Sequence, residues 1–158
     1  MTAPAAPSTL PSALHRLVQA QAQRLQDAHV SLGHGTSNAF DEAAWLTLWR
    51  LGLPLDTDLD DPALPAPTEP QRDAVEALIA ERIRTRKPAA YLTREAWLQG
   101  VSFYVDERAI VPRSLIAEPL ADGSIDAFLH PATHRVLDLC TGNGSLAVLA
   151  ALAWPDVV

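Results

Sequence analysis

The sequence has a single cysteine, at position 140, and no long apolar run. One cysteine excludes an internal disulfide framework and is typical of a reducing compartment. No apolar run approaches the roughly 20 residues that are needed to span a bilayer. The N-terminus has neither the basic nor the apolar region of a signal peptide. We therefore expect a cytoplasmic protein without a membrane partner.

Positively charged residues are also scarce. The chain has 12 Lys and Arg against 19 Asp and Glu, a net charge of −7. This balance makes binding of nucleic acid by charge alone unexpected, so we expect no direct nucleic-acid partner. The hydrophobic content of 48% is enough for a core, and the charged fraction of 20% is too low for disorder throughout. A length of 158 residues suits one medium domain, or a small one plus part of another.

Helical patterns fill the first half of the chain. Residues 1–11 read as a loose tail. Ser12 can cap a first helix that should end near Gly33. A second helix is predicted from about Asp41 to Leu51, and a capping box formed by Thr68 and Gln71 begins a third. Cations cluster at the end of this third helix, where they favour the helix dipole; an RNA contact is the less favoured alternative. They are Arg82, Arg84, Arg86 and Lys87.

The connection at 53–67 is rich in proline and aspartate. The spacing of Asp56, Asp58 and Asp60 resembles the start of a calcium loop. Asp61 stands where such a loop needs glycine, and Pro67 where it needs glutamate. We therefore favour caps and turns here and expect no metal site.

The hydrophobic period changes after Pro88. Residues 97–105 read as a β-hairpin that turns near Gly100, and 110–113 as an extended exit. Ser114 can cap a helix from about Leu115, which Pro119 and Gly123 should make irregular. A strand is predicted at about 134–140.

The segment 135–144, Arg-Val-Leu-Asp-Leu-Cys-Thr-Gly-Asn-Gly, carries the strongest functional pattern. An apolar run, two glycines and an apolar helix to Trp154 form the strand, loop and helix of a nucleotide-binding α/β unit. Asp138, at the end of the strand, suits a ligand ammonium or hydroxyl better than a phosphate. The pattern therefore favours S-adenosylmethionine over a dinucleotide, whose fingerprint needs a third glycine where Ala147 stands.

Taken alone, this pattern leaves a simpler interpretation open. Gly142 and Gly144 could form a tight strand-to-helix turn and bind nothing. Cys140 lies beside a helix N-terminus, which lowers a thiol pKa, but no His or Asn pattern supports a nucleophile there. We expect a small loop side chain at Cys140 and assign no catalytic residue.

Three stretches resemble the HemK/PrmB family of protein-glutamine methyltransferases and cover about residues 86–144. The first is Arg-Lys-Pro-Ala-Ala-Tyr-Leu-Thr at 86–93. The second is Phe-Tyr-Val-Asp-Glu-Arg at 103–108, followed by Val-Pro-Arg-Ser at 111–114. The third is Val-Leu-Asp-Leu-Cys-Thr-Gly-Asn-Gly at 136–144. Tyr-Val-Asp-Glu-Arg, Pro-Arg-Ser and Cys140 are closest to the PrmB branch.

The resemblance implies methyl transfer from S-adenosyl-L-methionine to the side-chain amide nitrogen of a glutamine. The implied partner is a ribosomal protein substrate, the third protein of the large subunit. The implied fold class is α+β, divided into a helical recognition domain at 12–88, a β-hairpin linker at 89–112 and, at 113–158, the first strand and helix of a Rossmann-like methyltransferase domain. The implied cofactor-binding residues are Asp138, Cys140, Thr141, Gly142, Asn143 and Gly144, with Phe103 and Arg113 close to the cofactor or the glutamine.

The family pattern also includes parts that this sequence does not contain. An Asn-Pro-Pro-Tyr loop that orients the glutamine amide is absent. The acidic residue that holds the ribose is expected about 20 positions beyond the glycine loop. The resemblance therefore implies an N-terminal fragment that is inactive by itself. Its lone strand at 134–140 should exchange amide hydrogens quickly, pair with another chain or aggregate.

Two other function classes stay open at this point. The chain could be a non-catalytic binding module that docks on a ribosomal or release-factor partner. A dinucleotide-dependent oxidoreductase is the weaker alternative.

Overall fold

The computed structural model describes residues 11–157. Contacts divide the chain into two compact units, one ending at Lys87 and the other beginning at Pro88. The described residues form helices and one two-stranded antiparallel sheet, an α+β composition as predicted. Every helix within them is too short or too polar to cross a lipid bilayer. The tail predicted at 1–11 lies, apart from Pro11, outside the described residues.

Three helices build the first unit: α1 at Ala13–Asp27, α2 at Ala39–Leu51 and α3 at Glu69–Thr85. A polar cap residue precedes each helix, and a polar side chain near each start accepts a backbone N–H group. The Ser12 hydroxyl accepts a hydrogen bond from the backbone N–H of His15 (3.0 Å), and the backbone N–H of Thr68 donates to Gln71 Oε1 (2.9 Å). Apolar side chains from all three helices form the core: Leu14, Leu17, Val18, Leu25, Ala43, Leu46, Leu48, Val75 and Ile79.

Helix α1 ends earlier than the sequence predicts. Its last residue is Asp27, and the residue with positive φ that follows its end is His29 (φ 49°) rather than Gly33. The backbone N–H of Val30 donates to the carbonyl of Leu25 (3.2 Å), which closes the last turn. Histidine enters this region of backbone conformation more easily than most side chains. Residues 30–38 are therefore a loop rather than the end of a helix.

The Pro- and Asp-rich connection at 53–67 is hydrogen-bonded to the start of α1. Asp60 Oδ1 accepts the backbone N–H of Ser12 (2.8 Å), and Asp60 Oδ2 lies 2.7 Å from His15 Nδ1. Both hydrogen bonds lower the pKa of Asp60. The bond from the Ser12 backbone has the larger effect, and the bond from His15 the smaller. Asp58 and Asp61 accept backbone N–H groups two residues ahead, as turn residues do. Among residues 11–157, no three potential metal ligands come together.

The second unit begins with a short helix, α4 at Ala89–Thr93, followed by the hairpin strands β1 at Glu95–Leu98 and β2 at Val101–Tyr104. Leu98 lies opposite Val101, so the turn consists of Gln99 and Gly100. Both have positive φ, 49° and 75°, as two-residue turns between twisted strands require. The prediction of a hairpin turning near Gly100 is confirmed.

Helix α5 at Ala117–Asp122 is short, and a 3₁₀ segment follows at Ser124–Phe128. The helix begins at Ala117 rather than at Leu115 because the Ser114 hydroxyl accepts the N–H of Ile116 (3.2 Å) in a preceding turn. Gly123, in the left-handed region (φ 73°), ends it. The unit closes with α6 at Ser145–Ala153.

The strand predicted at 134–140 is not formed. Residues 133–138 have no regular secondary structure, and 139–140 belong to a turn. A strand needs a neighbouring strand to hydrogen-bond its backbone N–H and C=O groups. The two strands of the described residues, β1 and β2, pair only with each other. Leu137 and Leu139 are consequently 83% and 79% exposed. The predicted first strand of a Rossmann-like sheet is therefore corrected to an unpaired segment.

Asp106, just after the hairpin, provides a titration test of the structure. Its carboxylate receives the forked guanidinium of Arg108, with Nη2 2.7 Å from Oδ2. This hydrogen bonding lowers the pKa of Asp106 from 3.8 to about 2. We expect a carboxyl NMR titration to place its midpoint near pH 2. The ionised pair stabilises the fold above the unfolded pKa of 3.8, and this contribution disappears as the pH falls through about 2.

The Arg108→Gln variant is the control for this titration. It should return the midpoint toward 3.8, while the effect on stability stays small because solvent screens the pair at the surface. A midpoint that Arg108→Gln leaves unchanged would contradict the assignment of the shift to the guanidinium.

Candidate functional site

The candidate site is the loop that joins Asp138 to helix α6. Three of its residues have positive φ: Cys140 (63°), Gly142 (61°) and Gly144 (86°). The Thr141 hydroxyl donates to the carbonyl of Asp138 (2.9 Å), and the N–H of Gly144 donates to the carbonyl of Thr141 (3.0 Å). The chain therefore makes a compact reversal immediately before the helix.

The two glycines serve this reversal through their backbone conformation. A Cβ on Gly142 or Gly144 would meet no atom within 4 Å. Crowding is therefore not the reason for glycine at these positions; the positive φ is. The same open space leaves the loop backbone accessible to a ligand.

Helix α6 directs its N-terminus at this loop. Gly144 is its N-cap and contributes no side chain, and the backbone N–H of Ser145 donates weakly to Asn143 Oδ1 (3.3 Å). The first N–H groups of a helix lack partners within the helix and carry a partial positive potential. This end of α6 can therefore accept an anionic group such as a carboxylate.

Two side-chain atoms of the loop are buried without a hydrogen-bond partner in the part of the chain that the structure describes. They are Asp138 Oδ2, an acceptor, and Asn143 Nδ2, a donor. Buried polar groups are usually paired, and an unpaired one costs about 1–3 kcal/mol. One acceptor and one donor without partners in the same loop fit a ligand that offers both a donor and an acceptor.

A shallow cavity of about 150 Å³ lies on one side of α6. Its lining is mostly apolar: Val136, Asp138, Ala147, Ala150, Ala151, Trp154 and Val157. Ligand pockets usually hold roughly 300–1,000 Å³. We therefore interpret this cavity as a packing gap between the unpaired segment and the helix, and not as the cofactor site.

The other predicted site residues differ in how exposed they are. Phe103, 9% exposed, packs in a core cluster with Ala117, Leu120 and Leu149, the last of these on α6. Arg113 lies exposed between the hairpin and α5, and Cys140 is exposed without a disulfide. The hairpin is thus packed against the helix that follows the glycine loop. Direct contact of Phe103 or Arg113 with a cofactor stays a prediction.

Sequence reasoning missed one contact that holds this arrangement. The indole N–H of Trp154 donates to Asp126 Oδ1 (2.7 Å), which ties the end of α6 to the 3₁₀ segment. The two residues are 28 positions apart, and neither belongs to a motif. No local signal in the sequence points to their pairing.

Comparison with known proteins adds a separate line of information. The ribosomal protein uL3 glutamine methyltransferase of Burkholderia pseudomallei is 53% identical over 142 residues, which cover 89% of this chain and 46% of that protein. The protein of the same name in Bordetella pertussis is 51% identical over 144 residues, with 90% and 48% covered. The one in Neisseria meningitidis serogroup B is 46% identical over 140 residues, with 84% and 44% covered.

The chain is similar to uL3 glutamine methyltransferases over most of its length. It spans about half the length of these curated relatives. No protein-family model matches it.

Proposed function

We propose that this chain supplies the substrate-recognition and cofactor-loop parts of a protein-glutamine methyltransferase. The proposed substrate is ribosomal protein uL3, the third protein of the large subunit. The observation that carries the proposal is the identity of 46–53% to proteins of that name along 84–90% of the chain. The geometry of the glycine loop supports it independently, because the loop has the features that a polar ligand requires.

The residues of the loop fit the methionine part of S-adenosyl-L-methionine. The Asp138 carboxylate would accept a hydrogen bond from the ammonium group of the ligand. Asn143 and the first N–H groups of α6 would donate hydrogen bonds to the carboxylate of the ligand. The buried, unpartnered atoms of Asp138 and Asn143 are the observation that favours this fit. Cys140, Thr141, Gly142 and Gly144 would form the backbone wall. When bound, the sulfonium supplies an electrophilic methyl group.

Phe103 and Arg113 complete the proposed set. Phe103 contacts the cluster that contains Leu149, so it would support the helix behind the loop as well as approach the cofactor. Arg113 provides a cation between the hairpin and α5 that would suit a carboxylate or a carbonyl of the bound ligand or glutamine.

The chemistry of the reaction sets a further requirement. An amide nitrogen is a poor nucleophile because its lone pair is delocalised into the carbonyl, so an enzyme must orient it in line with the methyl group. The Asn-Pro-Pro-Tyr loop that would do this is absent from the 158 residues. We therefore propose that this chain binds the cofactor but does not transfer the methyl group by itself.

Calorimetry tests the cofactor assignment. The chain should bind S-adenosylmethionine and should not bind NAD, and Asp138→Asn should weaken the binding while Asp156→Asn, on an exposed control position, should not. Absence of binding, or equal binding of NAD, would contradict the assignment.

In a parallel assay with a radiolabelled methyl donor and uL3, label in uL3 above background would contradict the proposed inactivity.

A further inference from the structure

Most side chains of helix α6 hold it in place without fixing its rotation. From 146 to 153 every side chain is apolar. Leu149 is buried in the cluster that contains Phe103. Leu146 and Ala150, on the same stripe of the helix, pack against that cluster. Apolar burial has no preferred direction, so it defines the rotation of a helix about its axis less sharply than a hydrogen bond does.

The loop that precedes α6 does not fix this rotation either. Gly142 and Gly144 both have positive φ, and glycine adopts many backbone conformations. Gly144, the N-cap, has no side chain that could bond to the helix. The hydrogen bond from the Ser145 N–H to Asn143 Oδ1 is long, at 3.3 Å. A stronger directional contact is therefore needed elsewhere on the helix.

Trp154 makes such a contact at the other end of α6. It is the C-cap, and its backbone N–H donates to the carbonyl of Ala150 (2.8 Å). Its indole N–H donates to Asp126 Oδ1 (2.7 Å). Asp126 is itself held in the 3₁₀ segment, because its N–H donates to the carbonyl of Gly123 (3.0 Å) and its carbonyl accepts the N–H of Leu129 (3.0 Å). The contact therefore joins α6 to a fixed neighbour in a defined direction.

The rotation of α6 has its effect at the N-terminus of the helix. A helix of nine residues is about 13 Å long, so a rotation set at Trp154 is carried to the glycine loop. Hydrogen bonds weaken outside a narrow range of distance and angle. Asn143 Nδ2 is buried without a partner in the part of the chain that the structure describes. This donor and the first N–H groups of α6 can meet one ligand group together only within a small range of rotation.

We propose that Trp154 and Asp126 are positioning residues for the carboxylate of S-adenosylmethionine. Their hydrogen bond sets the rotation of α6 and thereby aims the N–H groups at the start of the helix. Both residues act from the far end of the helix and would not touch the ligand. This inference rests on the proposed function, which supplies the cofactor.

Calorimetry with S-adenosylmethionine tests the hydrogen bond from both sides. Trp154→Phe keeps an aromatic ring but removes the N–H donor, and Asp126→Ala removes the acceptor. Each should weaken binding about three- to tenfold, which is the size of one net hydrogen bond. The double variant should bind no more weakly than either single variant, because both changes break the same contact.

Asp126→Asn is the conservative variant in this series. It removes the charge, as Asp126→Ala does, but keeps an oxygen that can accept the indole N–H. It should therefore retain the original affinity. Trp97→Phe is the matched control for the tryptophan, since Trp97 is half exposed on the hairpin. It makes the same chemical change away from α6 and should bind the cofactor as the original chain does.

Decarboxylated S-adenosylmethionine separates positioning from a general loss of structure. This analogue has no carboxylate for the N-terminus of α6, so its binding should not depend on the rotation of the helix. Trp154→Phe and Asp126→Ala should bind it with the affinity of the original chain. A general loss of structure would weaken the binding of both ligands equally.

Hydrogen exchange provides a measurement that needs no cofactor. The amides of Gly144 and Val148 donate to the carbonyls of Thr141 and Gly144, which closes the loop and the first turn of α6 (3.0 Å each). Both amides should exchange severalfold faster in Trp154→Phe than in the original chain. Asp126→Asn should leave their rates unchanged.

The outcomes distinguish this proposal from the proposed function. If the original chain binds no S-adenosylmethionine, the proposed function fails and the role of the pair toward a cofactor fails with it. If the original chain binds the cofactor and folded Trp154→Phe and Asp126→Ala bind it equally well, only the positioning role is overturned. Equal losses for the cofactor and its decarboxylated analogue, or unchanged exchange of Gly144 and Val148, also overturn the positioning role.

Discussion

Replacement of Arg82 by methionine should lower the free energy of unfolding by about 3–5 kcal/mol. The Glu42 carboxylate, to which Arg82 Nε donates at 2.8 Å in the interior of the first unit, would then stay buried without its guanidinium. Among the described residues, its remaining side-chain hydrogen-bond partner would be the Thr36 hydroxyl. The loss should appear in urea denaturation followed by circular dichroism. Adding Glu42→Met to the same chain should recover most of it, because the uncompensated charge disappears.

Arg84→Met is the matched control for this measurement. Arg84 lies on the same helix, but its side chain is exposed. Surface substitutions of this kind usually change stability by less than about 0.5 kcal/mol. Equal effects of Arg82→Met and Arg84→Met would contradict the burial of the ion pair.

Replacement of Gly144 by valine should weaken binding of S-adenosylmethionine by about 5–150-fold. The φ of Gly144 is 86°, a conformation that costs a β-branched residue about 1–3 kcal/mol. That strain converts to the stated range because about 1.4 kcal/mol corresponds to a factor of ten. Since no atom lies within 4 Å of the added Cβ, the effect would come from a changed backbone and not from a clash. Calorimetric titration of the variant measures it.

Gly52→Val tests whether strain at any glycine would do the same. Gly52 has a similar φ of 69° and no atom within 4 Å of an added Cβ, but it lies at the end of α2 in the first unit. Its replacement should lower stability and leave the cofactor affinity of the folded fraction unchanged. If both variants lose affinity equally, the loop at Gly144 has no special place in cofactor binding.

Local features of the fold could be predicted from the sequence. The turn at Gln99 and Gly100 follows from a glycine between two apolar stretches, and the start of α3 from the spacing of Thr68 and Gln71. These features depend on atoms that are close along the chain. The composition of helices and one small sheet follows from the same local patterns.

Features that depend on distant residues could not be predicted. The end of α1 lies at Asp27 because the following loop has its own anchors, one of which joins Arg82 to Ser31 across 51 positions. The strand expected at 134–140 failed for the same kind of reason. Its apolar residues favour a strand, but a strand also needs a partner, and residues 11–157 provide none for it.

The candidate site also has some features that the sequence predicts and others that only the folded chain shows. The glycines mark the loop because their positive φ is a local requirement. The unpartnered atoms of Asp138 and Asn143, and the contact of Trp154 with Asp126, appear only when the chain is folded. A sequence pattern locates such a loop but does not reveal which of its polar atoms lack a partner.

The unpaired segment at 133–138 also gives the site an intrinsic reporter. Arg135 is exposed within it, on a backbone without regular structure. Trypsin requires an extended, accessible arginine or lysine, so the peptide bond after Arg135 is a natural cleavage point. Cleavage there separates the glycine loop and α6 from the hairpin. The rate of cleavage after Arg135 therefore measures how completely a cofactor, a substrate or another polypeptide covers this segment.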